Sequence, residues 1–281
     1  MVEMEGRSMP RRRDVKPDSL RSHFGAKLRR RREALDFTLE RLGDEMGYTP
    51  QWIHKMETTD KAVPQKFAED AATYFDDPEF VEIRDVIQRA GRRAYLPPGF
   101  PQFIELEDEA TSVRAYVVQV IPGLLQAESY ARAVMSAGQT PEALDEIVAA
   151  RMERKPILTR VPLTQFQFVI NEAALRVPVG GDEVMREQIQ RLIDMAGLPN
   201  VQIRVLPFSS VTYAALDGLF TILGFQDGAE SVYIEGPELA QVIEDPEVIA
   251  RCVVRFGIIM GEALPRAASL DLLGQYLKEH T

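Results

Sequence analysis

The chain has 281 residues, of which 45% are hydrophobic and 27% charged, as in globular proteins that bury a core. The apolar stretches at 115–121 and 253–260 are far shorter than the roughly 20 residues of a membrane span, and no apolar run follows the arginine-rich N-terminus, which argues against a secretory signal. Cys252, the single cysteine, excludes an internal disulfide framework and favours a reducing cytoplasm.

Charge is distributed unevenly along the chain. Eleven basic residues and two acids lie between Arg7 and Arg32, so this segment carries +9, whereas the net charge of −10 leaves −19 for the remainder. This asymmetry favours a basic nucleic-acid-binding face beside an acidic body. Residues 1–18 are predicted to form a flexible basic arm, which either stays solvated or orders on DNA.

The segment 19–80 predicts short helices joined by tight turns, and its most specific pattern is LERLGDEMGYTPQWIHKME at 39–57. Thr38 is placed to cap a first helix, and Gly47 suits the left-handed residue that ends it. Thr49 and Pro50 then supply the cap and first position of a second helix. A turn of about three residues between two helices is the geometry of a helix-turn-helix. An ordinary helical hairpin is the alternative.

Gly43 lies inside the first of these helices, where glycine costs about 1 kcal/mol relative to alanine. Close approach of the second helix explains it, with Ile53 and Met56 buried. Residues 24–75, including "FGAKLRRRREALDFTLERLGDEMGYTPQWIHKME", resemble the five-helix Cro/C1-type (XRE) family. The resemblance implies that the second helix enters the major groove of DNA. The candidate DNA-binding residues are Thr49, Pro50, Gln51, Trp52, His54, Lys55, Arg41, Lys27, Arg30 and Arg31.

Five of these candidates have a specific expected contact. Gln51 can bond adenine through two hydrogen bonds, and Lys55 can donate to guanine. Thr49 and Arg41 are better placed for phosphates, and Pro50 can pack on a thymine methyl.

Two positions keep alternatives open. Trp52, the only tryptophan, either packs in the small core or contacts the DNA backbone. His54 is either a surface residue or a phosphate donor. The four arginines at 29–32 wrap around their helix, so only some of them can face DNA, and others lay their stems over the core.

A linker is predicted at 81–101. Asp77 and Pro78 begin a helix that reaches Gly91. Three prolines and a glycine at 94–103 then make a hinge and the best domain boundary.

Beyond the hinge, strands are predicted at 115–121, 163–170, 201–207, 219–225 and 231–235, and helices at 126–137, 142–155, 182–196, 246–262 and 267–279. The irregular order favours α+β over regular βαβ alternation. The predicted fold class is an α-helical N-terminal helix-turn-helix domain followed by a larger mixed α+β domain at 102–281.

This second domain is poor in catalytic groups. The three histidines are His23 and His54 in the head and His280 at the end, so a nucleophile would have no base, and neither enzyme activity, a cofactor nor a metal is predicted. The remaining acids are either a carboxylate pair or, more simply, salt-bridge and surface residues: Glu105, Glu107, Glu109, Glu172 and Glu235.

The stretches "VIPGLLQAESYARAVM" (120–135), "INEAALRVPVGGDEVMREQIQRLIDMA" (170–196) and "DGLFTILGF" (217–225) resemble the actinobacterial DUF5753 domain, over nearly all of 100–275. The resemblance implies a bacterial regulator, acting with a small DUF397-type partner protein. The functional hypothesis is a cytoplasmic, nucleoid-associated, homodimeric regulator that binds double-stranded DNA, with a C-terminal domain that receives a partner or ligand. The alternative is an antitoxin-like protein that neutralises a small partner.

Overall fold

The computed structural model describes residues 17–58, 63–93, 98–210, 212–236 and 239–280, with the side chains of 17–20, 89–93 and 142 outside this description. The chain forms two compact units, Met1–Ala94 (unit 1) and Tyr95–Thr281 (unit 2). Residues 1–16 of the flexible arm predicted at 1–18 lie outside the described residues, and the first helix begins at Pro17. No helix within the described ranges is long and apolar enough to cross a membrane.

Unit 1 is built from helices, as predicted. They are α1 (Pro17–Ala34), α2 (Leu39–Met46), α3 (Pro50–Thr58), α4 (Gln65–Phe75) and α5 (Glu79–Arg93). Each contributes apolar side chains at helical spacing to one core, made of Phe24, Leu28, Leu42, Ile53, Met56, Val63, Phe67, Ala68, Ala71, Phe80, Ile83 and Ile87. Burying each of the larger side chains stabilises the unit by about 1.5–3 kcal/mol. Leu35, just after α1, is 47% exposed and takes no part in this core.

The turn from α4 to α5 follows the predicted capping chemistry. Asp76 adopts a left-handed conformation (φ 48°), and its neighbour Asp77 donates its backbone N–H to Ala72. The Asp77 Oδ1 atom accepts a hydrogen bond from the backbone of Glu79 at 3.2 Å. The predicted helix start is therefore confirmed, and α5 continues to Arg93.

Unit 2 combines helices with one sheet. Its helices are α6 (Phe100–Glu109), α7 (Glu128–Met135), α8 (Pro141–Glu153), α9 (Ala173–Arg176), α10 (Asp182–Met195), α11 (Pro246–Glu262) and α12 (Arg266–Glu279). Its strands are β1 (Ser112–Val117), β2 (Gln165–Asn171), β3 (Val201–Leu206), β4 (Phe220–Gly224), β5 (Glu230–Glu235) and β6 (Ala240–Ile243). Short 3₁₀ turns cover Gly123–Leu125, Lys155–Leu158 and Tyr213–Ala215.

The sheet is mixed, with strand order β3-β2-β1-β4-β5-β6. Strands β1, β2 and β3 are parallel, with Ala115 beside Phe168 and Phe168 beside Ile203. The pairs β1–β4, β4–β5 and β5–β6 are antiparallel. Side chains alternate between the faces, so each face has its own core. One face packs with α6, α7, α10 and α12, and α11 covers the other through Phe256 and Ile259. The predicted fold class is confirmed.

Two elements of unit 2 that were not predicted, α6 and β6, lie close together. The segment expected to be a hinge contains the start of α6, whose Phe100 and Phe103 are buried and whose Phe103 ring stacks on Tyr233 at 3.9 Å. Gly99 has a φ of 89°, and a side chain there would overlap the backbone carbonyl of Ala240, the first residue of β6. Prolines and a glycine therefore mark a close packing contact here, and β6 itself was not predicted.

Candidate nucleic-acid interface

The turn between α2 and α3 has the predicted local geometry. Thr38 caps α2 by accepting a hydrogen bond from the Arg41 backbone at 3.2 Å. Gly47 is left-handed (φ 76°, ψ 31°), and Thr49 Oγ1 accepts from the backbone of Trp52 at 3.2 Å. These contacts satisfy backbone groups that have no partner within a helix. The predicted caps and turn are confirmed.

Gly43 is required by the turn itself. A Cβ atom at this position would lie 2.6 Å from the backbone oxygen of Tyr48, whose N–H in turn donates to the Gly43 carbonyl at 2.8 Å. The predicted close approach is therefore present. The nearest backbone belongs to the residues that lead into α3, with Pro50 N at 3.4 Å.

The two faces of α3 differ in burial. Ile53 is 0% and Met56 2% exposed, so this face is locked in the core of unit 1. Gln51, His54 and Lys55 lie on the opposite, exposed face. At the N-terminal end of α3, Thr49 is exposed and Pro50 half-buried. The arrangement presents two hydrogen-bonding side chains and one cation on a single helical surface.

Trp52 is half-buried against the core rather than fully exposed. Its indole stacks on the ring of Tyr48 with centroids 6.5 Å apart and planes at 14°, and the Lys55 Nζ atom lies 5.0 Å from the indole centroid. The Tyr48 hydroxyl donates to Asp70 at 2.5 Å. Burial and this hydrogen bond raise the pKa of Tyr48 to about 12. These contacts favour the packing role for Trp52, and a DNA contact stays a prediction.

An ion pair that the sequence did not predict holds α3 on α1. The Arg32 guanidinium donates to both carboxylate oxygens of Glu57, at 2.7 and 3.0 Å, and to the backbone oxygen of Phe37 at 2.8 Å. Glu57 is 4% and Arg32 12% exposed at the side chain. Gly25 lets the helices meet, because a Cβ there would lie 2.5 Å from the Glu57 carbonyl oxygen. The orientation of the exposed α3 face therefore depends on α1.

Lys27 requires a correction. This side chain was expected to contact DNA, but the residue is only 7% exposed and its amine pairs with Asp77 at 2.9 Å and with Glu79. Burial alone would lower the pKa of Lys27, but the hydrogen bonds to Glu79 and Asp77 outweigh it and raise the pKa. Lys27 consequently joins α1 to the start of α5, and a phosphate would have to compete with both carboxylates for its amine.

The neighbouring arginines are also largely paired. Arg29 bonds Glu33 at 2.7 Å, and Arg31 bonds Asp77 while remaining 48% exposed at the side chain. Hydrogen bonds from Arg31 and Lys27 lower the pKa of Asp77 to about 2. Arg30 is exposed and makes no ion pair with any residue of the described ranges. The basic run is thus less positive in space than in sequence.

Few exposed basic side chains of unit 1 are without an ion pair among the described residues. Arg41 is exposed, with its guanidinium 4.1 Å from the Phe37 ring centroid. Arg30 and Lys55 complete a set of three exposed basic side chains from α1, α2 and α3. Helix α2, which carries Arg41, also carries three exposed acids: Glu40, Asp44 and Glu45. Phosphate binding by these exposed basic side chains stays a prediction.

Three of the acids singled out in unit 2, Glu107, Glu172 and Glu235, accept hydrogen bonds within this unit. Glu107 receives two hydrogen bonds from Arg154, both at 2.9 Å. Glu172 accepts from the Tyr276 hydroxyl at 2.5 Å and from the Phe208 backbone at 2.7 Å. Burial would raise the pKa of Glu172, but these donors and Arg176 lower it. Glu105 and Glu109 lie on α6, and Glu235, on β5, accepts from the Tyr233 hydroxyl at 2.9 Å.

Comparison with known proteins gives two matches. Residues 100–275 match the family model described as a domain of unknown function (DUF5753). Residues 23–77 match the model of a helix-turn-helix domain, which contains α2 and α3 entirely. No curated protein and no solved structure matches the chain.

Proposed function

The chain belongs to the DUF5753 family and carries a DNA-binding helix-turn-helix domain ahead of it, and we propose that it is a sequence-specific transcriptional regulator. In this proposal α3 lies in the major groove, and unit 2 receives a partner protein or a ligand and catalyses no reaction. The protein acts in the cytoplasm on the nucleoid of an actinobacterium. These finer statements extend the regulator role that the helix-turn-helix domain supports at family level.

One observation carries the proposal. Gln51, His54 and Lys55 share the exposed face of α3, while Ile53 and Met56 anchor its opposite face in the core. A recognition helix needs this combination, because side chains that reach base edges must be held in a fixed orientation.

The test is the double variant Gln51→Ala/Lys55→Ala. We expect it to lose the preference of the full chain for its selected operator and to keep weak binding that disappears at higher salt, since contacts to bases carry specificity and contacts to phosphates do not. Binding is measured by DNA selection followed by fluorescence anisotropy. Gln65→Ala/Lys66→Ala is the matched control, since it removes the same residue types from the exposed face of α4. An unaltered footprint with the first variant contradicts the proposal.

Salt dependence provides a second measurement. If each copy in a dimer uses Arg30, Arg41 and Lys55, about six phosphates are neutralised, and the slope of log affinity against log salt is about −5. Affinity then falls about 10³-fold between roughly 50 and 200 mM salt. A slope near zero would rule out phosphate contacts by these side chains.

We place the homodimer interface on the outer face of α11. An apolar groove of about 840 Å³ lies there, with Tyr213 80%, Leu216 75%, Val254 64% and Ile258 49% exposed. A second copy is the expected occupant, because helix-turn-helix proteins read two half-sites. Two ion pairs supply both charge signs beside the groove, as a self-complementary two-fold contact requires: Arg255 with Asp217 at 2.5 Å, and Arg251 with Glu247 at 3.8 Å.

Light scattering of the full chain tests this interface. Val254→Asp/Ile258→Asp should convert dimer to monomer, whereas Val161→Asp/Val177→Asp, which changes two other exposed valines, should not. If the chain stays dimeric with the first pair of substitutions as well as with the control pair, the interface assignment is wrong. A monomeric chain that binds a co-encoded small DUF397-type protein, and loses it with the first pair, would favour the antitoxin-like alternative.

A further inference from the structure

A second cleft in unit 2 is lined by charge. It has a volume of about 780 Å³, within the range of small-molecule sites. Helices α7, α10 and α12 and the Lys155–Leu158 turn contribute its walls. The lining residues are Ala127, Glu128, Lys155, Arg186, Glu187, Gln190, Arg191, Asp194, Leu277 and Lys278.

The acids of this cleft have partners. The Glu128 carboxylate lies 3.7 Å from the guanidinium of Arg132, a residue that does not line the cleft. Glu187 accepts a hydrogen bond from the Ser129 hydroxyl, and Asp194 accepts one from Gln190 at 2.9 Å. A hydroxyl and an amide are neutral, so Glu187 and Asp194 keep their charges and also attract the cations of the cleft.

Three of the cations are not engaged in the same way. Across the described residues, Lys155, Arg186 and Arg191 make no ion pair and no side-chain hydrogen bond. The Nε atom of Arg191 is buried without an acceptor. A buried, unsatisfied donor on a charged group is costly, and native proteins keep such groups chiefly where a ligand, an ion or a water satisfies them.

Lys155 and Arg191 line the same cleft. Burial and the neighbouring Arg191 lower the pKa of Lys155 to about 8, although Glu128 and Glu187 oppose this effect. Burial likewise lowers the pKa of Arg191 against the attraction of Asp194 and Glu187. An anion between Lys155 and Arg191 would relieve this repulsion.

We propose that this cleft binds a polar small molecule carrying a phosphate group. The phosphate lies between Lys155 and the guanidinium of Arg191, and Arg186 lines the same cleft. The cleft is larger than a phosphate ion, and Gln190 and Glu128 can hydrogen-bond hydroxyl or amino groups on the rest of the molecule. The proposal specifies the ligand of unit 2 and rests on the ligand-receiving role proposed above.

Calorimetry on the full chain tests the site with three probes: inorganic phosphate, glucose 6-phosphate and glucose. We expect the two phosphates to bind and glucose not to bind. Arg191→Gln should weaken phosphate binding at least about tenfold, and Lys155→Gln similarly, because each removes a charged donor. Arg191→Lys keeps the charge and should retain part of the affinity. The control is Arg114→Gln, which removes one positive charge from a half-buried ion pair between Arg114 on β1 and Glu230 on β5.

The pH dependence is a second readout. The charged groups around Lys155 are Glu128 on α7, Arg186, Glu187, Arg191 and Asp194 on α10, and Lys278 on α12. Sulfate keeps its charge above pH 7, so its affinity should fall about tenfold from pH 7 to pH 9 as Lys155 loses its proton, and Lys155→Gln should abolish this fall.

Two outcomes would overturn the proposal. One is that neither phosphate probe binds at concentrations up to about 10 mM, because a dissociation constant above this value is too weak for a specific site. The other is binding that Arg191→Gln and Lys155→Gln leave unchanged while both variants melt as the parent chain does. DNA binding is measured separately on the same samples. If the chain binds phosphate in this cleft but does not bind DNA, the proposed site stands and the proposed regulator function is refuted.

Discussion

Glu57→Ala should destabilise unit 1 strongly, because it breaks the buried pair that joins α3 to α1. The substitution leaves the Arg32 guanidinium, 12% exposed, without its carboxylate. Breaking a buried pair from one side costs about 3–5 kcal/mol. Since Arg32 keeps its hydrogen bond to the Phe37 carbonyl, we expect the lower end of that range, about 3 kcal/mol.

Trp52 makes this measurable in the full chain. It is the only tryptophan and lies on α3, so its emission during denaturant titration follows the unfolding of unit 1. For a unit of this size, 3 kcal/mol corresponds to a Tm lower by about 12 °C or more. Glu33→Ala is the matched control: Glu33 also faces Arg32, at 3.7 Å, but is 50% exposed, and its loss should cost about 0.5 kcal/mol. Equal losses from the two substitutions would refute the argument.

Two further predictions concern the same unit and use the same Trp52 signal. Gly43→Ala should destabilise it by about 1–3 kcal/mol, since the new Cβ meets the Tyr48 carbonyl, whereas helix propensity alone predicts a gain of about 1 kcal/mol; a stabilised variant would contradict the close contact. The Asp77 pKa is lowered to about 2 by Arg31 and Lys27, so its contribution to stability is complete above about pH 4 and is lost as the pH falls towards 2. Asp77→Asn should remove this part of the acid transition, and an unchanged acid profile would show that the pair does not stabilise the unit.

Much of the helix-turn-helix was predictable from its residues. Thr38 and Thr49 cap helices by bonding backbone groups three residues ahead, and Gly47 relieves a steric penalty at its own position. Such interactions span a few residues, so their pattern is written in consecutive letters. Five strands of unit 2 were predictable for the same reason, although β1 begins three residues before the predicted start and ends four residues before the predicted end.

The short strand β6 and the helix α6 escaped prediction. Four residues carry too little periodicity to mark a strand, and Pro101 beside Gly99 is typical of a loop. Both elements are stabilised by contacts with distant residues, such as Phe103 with Tyr233. The order of the strands also depends on such contacts, and no local pattern specifies them.

The sequence by itself determined that a helix-turn-helix stands at the N-terminal end and which side of α3 is apolar, because caps, turns and helical spacing act over one or two turns of backbone. Only the tertiary structure decided which basic residues are available to DNA. Lys27 and Arg32 have their acidic partners 52 and 25 residues away, and these partners come within reach only when the helices pack. Charge can be counted along a chain, but whether it is neutralised depends on distance in space.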